Sequence, residues 1–145
     1  MLGQEYKELA RRMFEDYNAI QGDVSKAYAW VDKNYSPSIV FHGAISGDMN
    51  FEQLKQFHVA ELALSPCFTL KHMIAEGNMV VTQFTLNATH QGTFMGIPAT
   101  GKKFQIEGNM ICSMKGSKCE EIWFYLDSLG FMKQLGAIPS QAVKK

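Results

Sequence analysis

The hydrophobic spacing of this chain changes once, at Ser65-Pro66, and that change limits its fold more than any other feature. Before it, apolar residues recur every three or four positions, as on a helix face; after it they alternate, as on a strand. Leu9, Met13, Phe14, Tyr17 and Ile20 share one helical face, and Gly22 follows as a stop. A shorter helix starts at Asp23 or Ser25 and carries Tyr28, Trp30 and Val31. It ends before Ser36-Pro37, because proline disfavours a helical residue ahead of it. Ser38 to His42 reads as a short strand and Gly43 to Gly47 as a loop. Asp48 or Asn50 caps a third helix, with Gln53 completing a capping box if Asn50 is the cap. That helix buries Phe51, Leu54, Phe57, Leu62 and Leu64 along one stripe.

Past the proline, Phe68, Leu70, His72 and Ile74 alternate with Thr69, Lys71 and Met73. Glu76-Gly77-Asn78 is a hairpin turn, since Gly and Asn tolerate positive φ. Met79 to His90 is a long strand whose even positions, Phe84, Leu86, Ala88 and His90, form the more apolar series. A Gly/Pro-bearing connection, Gln91 to Lys102, leads to a strand from Lys103 to Met114. The turn Lys115-Gly116-Ser117 leads to a last strand from Cys119 to Leu126. Asp127 caps a terminal helix, SLGFMKQLG, and the tail SQAVKK frays. Helices segregated from a meander predict an α+β fold in one domain over residues 1–145. A strongly bent antiparallel sheet covered by about three helices, with a short C-terminal helix, makes a cone with one apolar mouth. Such a mouth is a usual small-molecule site.

Composition narrows the function. The 145 residues carry 14 Lys+Arg against 14 Asp+Glu, so neither a basic nucleic-acid surface nor a polybasic membrane anchor is expected. No apolar run is long enough to span a membrane. Cys67, Cys112 and Cys119 form no C-x-x-C pair and leave an odd thiol, which favours a reducing cytoplasm. No two histidines sit at i, i+4, and no Cys/His cluster exists, so no metal is expected. Gly92, Gly96 and Gly101 lack the strand-to-helix setting that cradles phosphate. The 9 Met and 10 Phe point to a large, adaptable apolar interior.

Three stretches carry a family likeness: THQGTFMGIPATGKKFQIEG (Thr89 to Gly108), IAEGNMVV (Ile74 to Val81) and EEIWFYLDSLGFMKQLGAIP (Glu120 to Pro139). With the opening helix and SIVFHG, the chain resembles the SnoaL-like polyketide cyclases, or ester cyclases, of the NTF2-like cone fold. The resemblance implies a homodimer and no cofactor. It also implies an aldol cyclisation driven by an acidic residue on the last strand. Aligned through Asp127-x-x-Gly130, that acidic position falls on Phe124. A glutamine and a histidine of those cyclases fall on Gly108 and Met110. Strand parity puts Ile122 and Leu126 beside Phe124, and Phe104, Ile106 and Cys112 beside Gly108 and Met110. The pocket floor is therefore expected to be apolar, with Phe84 on the same face and Trp30 at the wall.

Proton-handling candidates remain. His90, on the apolar face of its strand, and His42, at the end of the first strand, would have to replace the missing acid. His72 and His58 are weaker candidates, and Asp127 reads as a helix cap. Cys112 has no base near it in either strand series, which argues against a thiolate nucleophile. Tyr17, Tyr28 and Trp123 read as packing residues. Three readings stay open: a cofactor-free cyclase or isomerase of a small hydrophobic carbonyl compound, a non-catalytic binder of a small hydrophobic ligand, and an association module.

Overall fold

The computed structural model describes residues 2–43 and 46–136. The expected frayed tail and the end of the Glu120-to-Pro139 stretch lie outside them. Helix α1 (Gly3–Asn18) and helix α2 (Val24–Asn34) come first. The Asp23 carboxylate accepts from the Lys26 N–H and starts α2. Strand β1 (Tyr35–Gly43) and strand β2 (Gly47–Met49) form a small antiparallel pair ahead of helix α3 (Phe51–Ala60). In α3 the Asn50 side chain accepts from the Gln53 N–H, and Gln53 accepts from the Asn50 N–H, so two orphan donors are satisfied reciprocally. The chain then tightens into one 3-10 turn, Glu61–Leu64, closed by Ser65 in the left-handed region. Strands β3 (Cys67–Glu76), β4 (Met79–Thr89), β5 (Lys103–Lys115) and β6 (Lys118–Leu126) form the meander, and helix α4 (Ser128–Leu135) follows. Asp127 caps α4 by accepting from the Gly130 N–H.

The sheet order is β2-β1-β6-β5-β4-β3. It is mixed rather than wholly antiparallel, because β1 runs parallel to β6. That pairing joins strands about eighty residues apart, beyond the reach of local periodicity. β1 is also longer than Ser38 to His42 and runs through Pro37. Proline is tolerated there because the β1–β6 register is interrupted between Tyr35 and Val40, so no ladder bond is lost. The expected loop from Gly43 to Gly47 runs into β2, whose three residues are too few to show a period.

The second correction is one of parity. The β3–β4 register slips between Leu70 and His72, a bulge that places Lys71 out of step. Phe68 and Leu70 face the helices as expected, but beyond the bulge Met73 and Ala75 do so instead of His72 and Ile74. Ile74 is accordingly 66% exposed. The covered face holds the core, in which Val31, Ile39, Leu54, Val80 and Ile122 are sealed from solvent. Two of the three cysteines pack there against methionine: Cys112 Sγ lies 3.3 Å and Cys119 Sγ 3.5 Å from Met114 Sδ. Polarizable sulfur fills this irregular space, and burial raises the Cys119 thiol well above its ordinary value.

Replacing Asn50 with Ala is expected to cost about 1 kcal/mol of stability, and Asn50→Asp much less, because the carboxylate still accepts from Gln53. Urea unfolding of the two variants measures the difference.

Candidate active site

Four polar side chains meet inside the helix-covered face, each brought there by a different element. Tyr17 lies on the inner face of α1, Tyr35 opens β1, His58 is in the last turn of α3, and Glu61 begins the 3-10 turn. The Tyr17 hydroxyl donates to Glu61 Oε1. His58 Nδ1 is bonded to the same Oε1. On its other side, His58 Nε2 lies 2.9 Å from the Tyr35 hydroxyl. With Glu61 ionised, Nδ1–H donates to the carboxylate and Nε2 accepts from the Tyr35 O–H, which sets the tautomer. Glu61 Oε2 takes no hydrogen bond among the described residues. His58 and Glu61 are nearly enclosed, with side chains 12% and 17% exposed. Burial, followed by the charge of Glu61, holds the Tyr17 phenol well above its ordinary value. Tyr35 is raised likewise, by burial first and then by Cys119 and Glu61. Both phenols therefore stay protonated donors at neutral pH.

These groups open onto a narrow cavity. Its volume is about 50 Å³. Its remaining wall is apolar and largely aromatic, including Phe14, Phe41, Phe57, Phe68 and Phe124. Trp30 and Met110, both expected at the pocket, also line it. The Trp30 indole donates to the Met13 carbonyl, which fixes the ring.

The two histidines expected to carry chemistry lie elsewhere. His90 is fully buried, but Nδ1 is bonded to Thr100 Oγ1 at 3.1 Å and Nε2 to the Ile97 carbonyl at 3.2 Å. Its ring clamps the connection that follows its own strand and lines neither cavity beside the tetrad. His42 pairs with Trp123 across the β1–β6 ladder and stacks on it, on the face opposite Phe41 and Ile122. Nε2 lies 2.8 Å from Glu121 and Nδ1 3.0 Å from Asp48. The two carboxylates raise its pKa, the Glu121 hydrogen bond contributing most. The structure therefore does not bring His42 and His90 together. Of the other expected pocket residues, Phe124 and Leu126 line the second cavity described below. Phe84, Phe104, Ile106, Cys112 and Ile122 are packed in the core behind the cavities.

Gly108 explains part of the apolar floor. It stands opposite Phe84 on β4 and Leu126 on β6. A Cβ there would lie 2.5 Å from the Tyr125 carbonyl oxygen and 3.0 Å from Phe84 Cε1. No side chain fits without moving backbone. The sequence reading leaves Tyr35 and Glu61 unmarked, takes Tyr17 as packing and ranks His58 low. A signal was present: His58-x-x-Glu61 places an imidazole and a carboxylate on one helical face.

Comparison with known proteins agrees with this fold. The profile of the SnoaL-like polyketide cyclases matches residues 8–135, and the chain belongs to that family. A Jannaschia sp. CCS1 protein, provisionally named a SnoaL-like polyketide cyclase, superposes with a TM-score of 0.78 at 18% identity, over 94% of this chain and 95% of its own. AclR of Streptomyces galilaeus, provisionally named a hydroxylase, gives a TM-score of 0.81 at 23% identity, over 95% of this chain and 100% of its own. TsrD of Streptomyces laurentii gives 0.72 at 20% identity, over 91% and 98%. These superpositions show a shared α+β fold, consistent with the NTF2-like cone. No curated protein sequence matches the chain significantly. Among the described residues, no group of three or more His, Cys, Asp or Glu is placed to hold a metal, and no helix is long and apolar enough to cross a membrane.

Two outcomes are expected. Because His42 has a raised folded pKa, its stabilisation is complete below the unfolded value of about 6.5 and fades as pH rises through the folded pKa. The stability gap between the wild type and His42→Gln, followed by urea unfolding, narrows over that rise. Gly108→Ala is expected to cost about 1–3 kcal/mol through overpacking, seen as a lowered melting temperature.

Proposed function

We propose that the chain is a cofactor-free proton-transfer enzyme, a cyclase or isomerase acting on a small apolar carbonyl compound. The observation that carries this is the carboxylate of Glu61, held through Oε1 by Tyr17 and His58 with Oε2 free, in an otherwise apolar cavity. Such a carboxylate is oriented, poorly hydrated and well suited to take a proton from the carbon next to a carbonyl. Charge then develops on the carbonyl oxygen. Tyr35, a neutral phenol lining the same cavity, stabilises it as an enolate by turning its one O–H from His58 Nε2 to that oxygen. The enolate carbon can close a ring or be reprotonated elsewhere. No acid on the last strand is required, and Phe124 instead contributes to the apolar wall.

The apolar floor also supports a second reading, a binder without turnover. Deuterium exchange next to the carbonyl of 2-heptanone in D₂O, followed by proton NMR, separates the two. Wild-type protein is expected to accelerate exchange, and Glu61→Gln to lower the rate about 10²–10⁴-fold. Tyr35→Phe is expected to lower it about 10²-fold or more. Binding without any exchange above buffer favours the binder. Glu61→Gln exchanging at the wild-type rate would sink the assignment of the base.

A further inference from the structure

A second cavity adjoins the first and is not explained by proton transfer. Its volume is about 60 Å³. The two share five wall residues: Phe41, Phe57, Glu61, Phe68 and Phe124. Four of the five are phenylalanines, so the partition is a set of rings and not backbone. Phe124 stands in its middle, with ring centroids 5.8 Å from Phe41 and 6.4 Å from Phe68. Glu61 is the one ionisable side chain facing both rooms.

Beyond the partition the second room is bounded by aliphatic and aromatic groups, among them Leu64, Leu86, Phe94 and Phe131. Ser46, which is exposed, and Met95, which is 49% exposed, also line it. Phe94 and Met95 belong to the connection between β4 and β5. That connection is tied at its base by His90: its N–H donates to the Lys102 carbonyl, its carbonyl accepts from Gly101, and its ring binds Thr100 and Ile97. A short bridge between Phe94 and Ile97 closes the loop on itself. The wall of the second room is therefore built, not incidental, and His90 is one of its positioning residues.

We propose that the second cavity is the tail chamber of the same site. The substrate class is then a carbonyl compound with one polar head and a flexible, unbranched apolar chain. The head lies at Glu61, the chain passes the Phe124 partition, and its end lies among Leu64, Leu86, Phe94 and Phe131. A rigid fused polycycle does not suit two narrow rooms joined past a wall of rings, whereas a chain can thread them by small rotations of those rings. This inference rests on the proton-transfer reading for the placement of the head.

The test is a chain-length series of methyl ketones, from 2-pentanone to 2-tridecanone, titrated calorimetrically onto the whole chain, with estrone as a rigid tetracyclic ketone. The dissociation constant is expected to fall about fourfold per added methylene until the chamber is filled. Leu86→Phe, which narrows only the second room, is expected to flatten that dependence. If Leu86→Phe does not fold, Leu64→Phe on another part of the wall reads the same slope. Ketones that bind with no gain in affinity along the series overturn the tail chamber and leave the proton-transfer reading standing. Estrone binding more tightly than every alkanone also overturns it. Absence of binding at every length overturns both readings.

Discussion

Glu61 sits where a carboxylate is costly to keep. Side chains from α1, α3 and the sheet remove most of its water, and an unpaired buried charge would cost several kcal/mol. Two hydrogen bonds to one oxygen offset that cost, from Tyr17 on α1 and His58 on α3. Tyr35, at the start of β1, joins through His58. The network therefore ties two helices and a strand to one point. It also explains why polar groups persist within a room of phenylalanines. Losing His58 leaves the Tyr35 hydroxyl unpaired, and losing Glu61 leaves both the Tyr17 hydroxyl and His58 Nδ1 without a partner, so the arrangement is coupled.

Phe124 lines both cavities and stands between them. Met110 joins the wall of the first room. Gly108 keeps its place because the Tyr125 carbonyl, Leu126 and Phe84 leave no volume for a side chain. With the sheet side of the cavity made of rings and hydrocarbon, polar chemistry comes from the helix side.

Local patterning made most elements legible. Asn50 and Gln53 announced the start of α3, Asp127 the start of α4, and the even positions of β4 its buried face. The failures have a common cause. The Lys71 bulge reversed the parity of half of β3, and nothing local to Phe68 through Ile74 marks it. The parallel partner of β1 lies at the far end of the chain. His42 and His90 looked suitable because each ends an apolar run, yet one was turned to the outer face by its pairing with Trp123 and the other was captured by its own loop.

Sequence alone determined most of the elements, their order and the family, because these follow from short-range spacing and from an ordered motif. It also contained the His58-x-x-Glu61 pair without revealing its use. Only the tertiary structure decided that Tyr17 and Tyr35, eighteen residues apart and on different elements, close around that pair. It likewise decided that one ring, Phe124, divides the interior. Both depend on distances between elements, which packing fixes and periodicity does not encode.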